Sequence, residues 1–266
     1  MVHVVGIPFD KKSSFLKGAA RAPAAIREVL LDGSSSLLSE SGHHMIDDIG
    51  MVIQEDLKVD TYQDIFDELQ KLDLQQTHIF IGGDHSISYP TVQAVSKTKG
   101  AFDILHFDAH TDLYDIYEDD PYSHACPFAR IMEEGTVQRL VQVGIRTMNP
   151  HQLAQVEKFG VEVINMQQIS EAMTLTFKRP LYISIDVDVF DPAHAPGVSH
   201  YEPGGMTPRQ VISILQQISA PIVGGDIVEL NPVRDTNGMT AHLSAKLLKE
   251  LASAIHRGKG RLYMNI

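Results

Sequence analysis

Short apolar runs recur along this chain, and between them apolar residues fall three and four positions apart. The first pattern predicts strands and the second helices. Strands are predicted over 2–7, 78–81, 103–107, 139–143, 161–164, 181–185 and 221–227, with a last short one over 261–264. Helices are predicted over 22–31, 62–72, 89–96, 150–158, 208–218 and 240–256; Pro23 falls in a first turn, where its missing N–H is tolerated. Runs this apolar suit strands buried on both faces, so their alternation with helices predicts an α/β fold: a three-layer α/β/α sandwich around a mainly parallel sheet. The polar stretch 32–41 reads as a surface loop, and the irregular stretch 113–127 has the length of a functional one. The chain is read as one domain spanning 1–266.

Several of these runs end in polar residues that packing does not explain. Asp108, His110 and Asp112 follow one strand, Asp186 and Asp188 another, and His85 a third. Alternate side chains of extended backbone share a face, so Asp108, His110 and Asp112 are expected to project together, and Asp186 with Asp188. In open parallel sheets the carboxyl ends of the strands form the binding rim, which would also gather Glu229. Buried carboxylates are costly unless they are paired, hydrogen-bonded or bound to a cation. Two imidazoles and four carboxylates are enough for two metal ions with shared oxygens. One imidazole per ion among oxygens suits a hard or borderline cation such as manganese, and Cys126, the only cysteine, excludes a multi-thiolate site. His106 shares the alternation but reads as a buried, hydrogen-bonded residue, either behind a ligand or in the core.

Gly82-Gly83-Asp84-His85-Ser86, Asp108-Ala109-His110-Thr111-Asp112, Ser184-Ile185-Asp186-Val187-Asp188 and Asp226-Ile227-Val228-Glu229-Leu230-Asn231-Pro232 together resemble the arginase and agmatinase family of ureohydrolases. The resemblance covers nearly the whole chain. It is closer to plant-type arginases and their bacterial relatives, through Tyr122-Ser123-His124-Ala125, Phe128 to Glu133, Gln142-Val143-Gly144-Ile145-Arg146 and the stretch from Ala195 to Gly205. The Ser-Gly-Asn-Leu-His-Gly type of loop that grips the amino-acid end of arginine in animal arginases is absent.

The resemblance implies an arginase-like sandwich, two Mn2+ ions, and a homo-oligomer, trimer or hexamer. One ion would take His85, Asp108, Asp112 and Asp186; the other Asp108, His110, Asp186 and Asp188. It further implies hydrolysis of a guanidino group to urea and an amine, with Asp112 orienting the nucleophile, Glu229 pairing with the guanidinium and His124 protonating the departing amine. L-arginine is the first expected substrate and agmatine the second, with guanidinobutyrate and guanidine open. His200 and the acidic residues Asp115, Glu118, Asp119 and Asp120 are expected near the substrate.

A net charge of −12 disfavours nucleic acid and anionic membranes as partners and is compatible with a small cationic substrate. No secretory signal and no membrane-spanning window is visible, so a cytoplasmic location is the default expectation. A single-zinc deacetylase of related fold and a non-catalytic metal-bound regulatory protein are the competing readings; the complete ligand set with His124 argues against both.

Overall fold

The computed structural model describes residues 1–170 and 173–264. Its centre is an eight-stranded sheet made of β1 (Val2–Ile7), β2 (Met51–Ile53), β3 (Thr77–Gly82), β4 (Phe102–Phe107), β5 (Val137–Ile145), β6 (Glu162–Asn165), β7 (Leu181–Asp186) and β8 (Ile222–Val228). The order across the sheet is β2-β1-β3-β8-β7-β4-β5-β6, and every pairing is parallel. β3, β4 and β7 are buried at every position, as strands covered on both faces must be.

Alternation along the strands divides the core in two. Leu105, Phe107, Ile183 and Ile185 pack with α1 (Ala22–Leu31), α6 (Pro208–Gln217) and α7 (Met239–Met264). Phe80, Ile104 and Tyr182 face α2 (Tyr62–Leu69), α3 (Ser88–Lys99) and α4 (Pro127–Glu133). α5 (Pro150–Phe159) adds Val156 and Phe159 to this second layer. The predicted three-layer sandwich is therefore the fold.

Three local expectations differ from the structure. The predicted strand 261–264 falls inside α7, which continues to Met264. β2 was not predicted: it has three residues, pairs only with β1, and exposes Val52. α4 was not predicted either; it begins at Pro127, where proline suits a first helical turn.

What the topology does for function follows from the order β3-β8-β7-β4. These four central neighbours carry His85, Glu229, Asp186 and Asp108 just beyond or at their carboxyl ends. Their registers coincide, since Phe107 pairs with Ile185, Asp186 with Val228 and Ile81 with Ile227. Residues far apart in sequence thus emerge at one level of the rim.

Candidate active site

Local hydrogen bonding, not continued strand geometry, brings the acidic residues together. β4 ends at Phe107, and Asp108 to Asp112 form a loop in which Asp112 takes a left-handed φ of 50°. Asp108 Oδ1 accepts from the His110 N–H at 2.6 Å, and Asp186 Oδ1 accepts from the Asp188 N–H at 2.7 Å. Each carboxylate so caps its own turn. Gly83 is forced by space: a Cβ there would lie 1.6 Å from the Phe9 carbonyl oxygen.

His85 Nδ1 lies 3.2 Å from Asp108 Oδ2, 3.0 Å from Asp112 Oδ2 and 3.1 Å from Asp186 Oδ2. It is fully buried and makes no hydrogen bond among the described residues. Its tautomer follows from the other nitrogen. Ser184 Oγ donates to Asp226 Oδ1 at 2.6 Å, so it accepts from His85 Nε2 at 3.0 Å, and the ring proton sits on Nε2. A lone pair on Nδ1 therefore faces three carboxylate oxygens. Burial first, then Asp188 and Asp108, push Asp186 well above the usual carboxylate range; burial and then Asp108 push Asp188 up to about 6. A group of this kind calls for positive charge, and the donor set fits a divalent cation.

A second set adjoins the first. His110 Nδ1 is 3.4 Å from Asp108 Oδ1 and 3.0 Å from Asp188 Oδ2, so Asp108 presents one oxygen to each histidine. Asp186 contacts the first set. His106 belongs to neither in function: its Nε2 donates to Asp108 Oδ2 at 2.9 Å, its Nδ1 accepts from Gln142, and its ring stacks on Phe128. With both nitrogens engaged it orients Asp108, as its reading as a buried, hydrogen-bonded residue anticipated. Burial lowers its pKa, consistent with a neutral ring.

Across a cavity of about 170 Å³ from these sets stand Glu229 and His124. Glu229, at a left-handed φ of 65°, is held through its N–H to the Gly83 carbonyl at 2.9 Å. Its Oε1 accepts from the His85 N–H and from His124 Nδ1, both at 2.9 Å. Burial, the largest single influence, opposes charge on both partners, yet their mutual hydrogen bond together with the surrounding charges and the His85 N–H outweighs it, raising His124 to about 9 and holding Glu229 below the ordinary carboxylate value. His124 Nε2 bonds Ser14 Oγ at 2.9 Å.

The remaining expectations divide. His200 lines the cavity, its ring centroid 5.4 Å from that of His124. Asp115 does not reach the wall: it is exposed and pairs with His151 Nε2 at 3.0 Å. Asp120 is turned to Lys12 at 2.5 Å, and Glu118 and Asp119 form the tip of a tight turn. The expected acidic approach to the cavity is corrected accordingly; these charges are solvated or paired outside it. Sequence reasoning missed Ser14, Tyr114, Tyr117, Gln152 and Glu202, all on the wall. Tyr114 and Tyr117 carried a signal through the functional length of the stretch 113–127, and Glu202 through the motif from Ala195 to Gly205; Ser14 and Gln152 carried none.

A sequence model described as the Arginase family matches residues 1–253. "Arginase 1, mitochondrial" of Arabidopsis thaliana is 45% identical, covering 96% of this chain and 81% of that protein. The N(1)-aminopropylagmatine ureohydrolase of Thermus thermophilus is 36% identical over 87% of this chain and 83% of its own. Among solved structures, an arginase from Medicago truncatula superposes with a TM-score of 0.89 at 43% identity, covering 96% of this chain and 87% of that one. The cytoplasmic expectation is corrected by the plant relatives, whose names place them in mitochondria or in chloroplasts and mitochondria. The default had rested on a missing secretory signal and membrane span, neither of which distinguishes cytoplasm from organelle. The fold match, the matched residues and the site geometry agree: the chain belongs to the arginase family.

Proposed function

We propose that this chain, acting as a single domain over 1–266, hydrolyses L-arginine to L-ornithine and urea with two manganese ions held by His85, Asp108, Asp112, Asp186, His110 and Asp188. The observation that carries the reading is the pair of histidine–carboxylate sets sharing Asp108, opposite Glu229 and His124 across one cavity. Each set offers one imidazole among carboxylate oxygens, the donor chemistry of a hard or borderline cation. When bound, the ions lower the pKa of the attacking water and offset the carboxylate charge.

The chain's own residues do the rest. Glu229 faces the cavity as a carboxylate kept ionised by His124, and a planar guanidinium with forked N–H donors pairs with such a group. Asp112, whose Oδ2 lies beside His85, would accept a hydrogen bond from the attacking oxygen and hold it in line. His124 carries the proton that the departing amine needs, and its raised pKa keeps it charged at neutral pH. Glu202 and Gln152 line the same cavity and offer an acceptor and an amide to the amino-acid end of the substrate.

Greater similarity to a plant arginase than to the aminopropylagmatine enzyme favours arginine over agmatine. The withdrawal of Asp115 from the cavity removes the contribution of the 115–120 acidic cluster to the electrostatic argument for a decarboxylated amine. Urea release from arginine, agmatine, guanidinobutyrate and guanidine at saturating manganese tests this. Arginine is expected to have the highest kcat/KM; agmatine preferred by more than about tenfold would overturn the substrate and leave the chemistry standing. A trimer or hexamer belongs to the same proposal, and light scattering on the purified protein reads it.

A further inference from the structure

Arg146 lies just beyond β5, where three loops of the site meet. Its backbone N–H donates to the Ala109 carbonyl at 3.0 Å, inside the loop that bears Asp108, His110 and Asp112. Its guanidinium has five N–H donors, and each meets a backbone carbonyl. Nε donates to Glu202 at 2.7 Å, Nη2 to Asp188 at 2.7 Å and Phe190 at 3.4 Å, and Nη1 to Val189 at 3.1 Å and Gly144 at 3.3 Å. Among the described residues no carboxylate pairs with it. A cation spent entirely on carbonyls fixes main chain.

The main chain it fixes brackets one histidine. His110 Nδ1 is 3.0 Å from Asp188 Oδ2 and His110 Nε2 is 3.7 Å from Glu202 Oε1. Arg146 therefore bonds the carbonyls of the two residues that flank the His110 ring. The turn it grips is also tightly packed: a Cβ on Gly144 would come within 2.5 Å of Val189 Cγ2. The His85 set has its own support, the bonds from His85 through Ser184 to Asp226, which Arg146 does not touch.

We propose that Arg146 is the positioning residue for the His110–Asp188 half of the metal centre and for the Glu202 wall of the substrate cavity, coupling the second ion to the binding of the substrate's far end. Lysine cannot substitute, because an ammonium is a single point of charge that does not span carbonyls on separate turns. The inference rests on the two-ion reading above and not on arginine as the substrate.

The test is calorimetric titration of manganese into the metal-stripped protein, wild type against Arg146→Lys and Arg146→Met, followed by kinetics at saturating metal. Wild type should bind two ions. Both variants should keep one ion at wild-type affinity and bind the other about 10- to 100-fold more weakly, the range for lost support of a ligand. At saturating manganese kcat should return towards wild type while KM for the guanidino substrate stays raised, since the Glu202 wall remains displaced. Equal weakening of both ions, unchanged metal binding, or failure of both variants to fold would assign Arg146 to the fold alone and overturn the proposal. A wild-type protein binding one ion would overturn the two-ion reading as well, so the two failures are distinguishable.

Discussion

Two buried histidines, each following or lying on β3, show how the same unmatched nitrogen takes opposite meanings. His78, on the strand, is 2% exposed and its Nε2 makes no hydrogen bond; its ring stacks on Phe80 and sits 5.1 Å from that of His3. Burial pushes its pKa down from 6.5 to about 4, so it stays neutral. His85, just beyond the carboxyl end of the strand, has an equally unmatched Nδ1, yet that nitrogen faces three carboxylates and its pKa is raised well above 6.5 once they outweigh burial. An unbonded nitrogen is thus suited to a cation only where its surroundings supply charge to be neutralised; at the other end of the strand it is a packed ring.

Removing the carboxylate common to both sets has the largest expected effect. Asp108→Asn should lower urea release by at least about 10³-fold, because one set loses an oxygen, both lose the shared negative charge, and two-ion stabilisation is worth several kcal/mol. Full activity in that variant, measured after manganese loading, would place the reaction elsewhere. Next in size is the proton donor. His124→Asn should reduce kcat by about 10²-fold or more with two ions still bound, and wild-type activity that depends on protonated His124 should fade as pH rises through about 9. Unaltered kcat in the variant would remove His124 from the reaction.

Ser184→Ala alters the surroundings of His85 without replacing any residue of the two sets. It takes away the acceptor that fixes the His85 tautomer, and one ion should bind about 10- to 100-fold more weakly, the opposite ion from the one Arg146 controls. Metal titration reads it, and unchanged affinity would show that the tautomer needs no such support. The smallest effect belongs to His78. Its folded pKa lies below the unfolded value, so its contribution to stability is complete above about 6.5 and is lost as pH falls towards about 4. Denaturant titrations at pH 7 and 5 should show an acid-side loss on the order of 1 kcal/mol in wild type that is absent in His78→Leu, with metal content the same in both. A His78 variant that loses metal would erase the distinction drawn here.

Much of the site was legible because its residues follow apolar runs in a parallel sheet, and that position alone sends His85, Asp108, Asp186 and Glu229 to one rim. The stated reason for Asp108, His110 and Asp112 converging was incomplete: the strand stops at Phe107, and a left-handed Asp112 with a carboxylate-capped turn completes the arrangement. Asp115 misled because charge in a loop says nothing of direction, and its partner His151 lies in a different element. Ser14, and the role of Arg146 within its motif, were illegible for a related reason. Ser14 meets His124 from the other end of the sequence, and Arg146 acts on carbonyls, which every residue possesses. The strand wrongly expected over 261–264 reflects a short apolar group at the end of a helix whose period begins at Met239.

The central claim is that Asp108 would serve two ions, His85 helping to hold one and His110 the other. Elemental analysis of manganese-loaded, dialysed protein tests it most directly in wild type, His85→Asn and His110→Asn. The account predicts two ions per chain in wild type and one in each variant, because each histidine serves a different ion. One ion in wild type, or two retained in either variant, would contradict it.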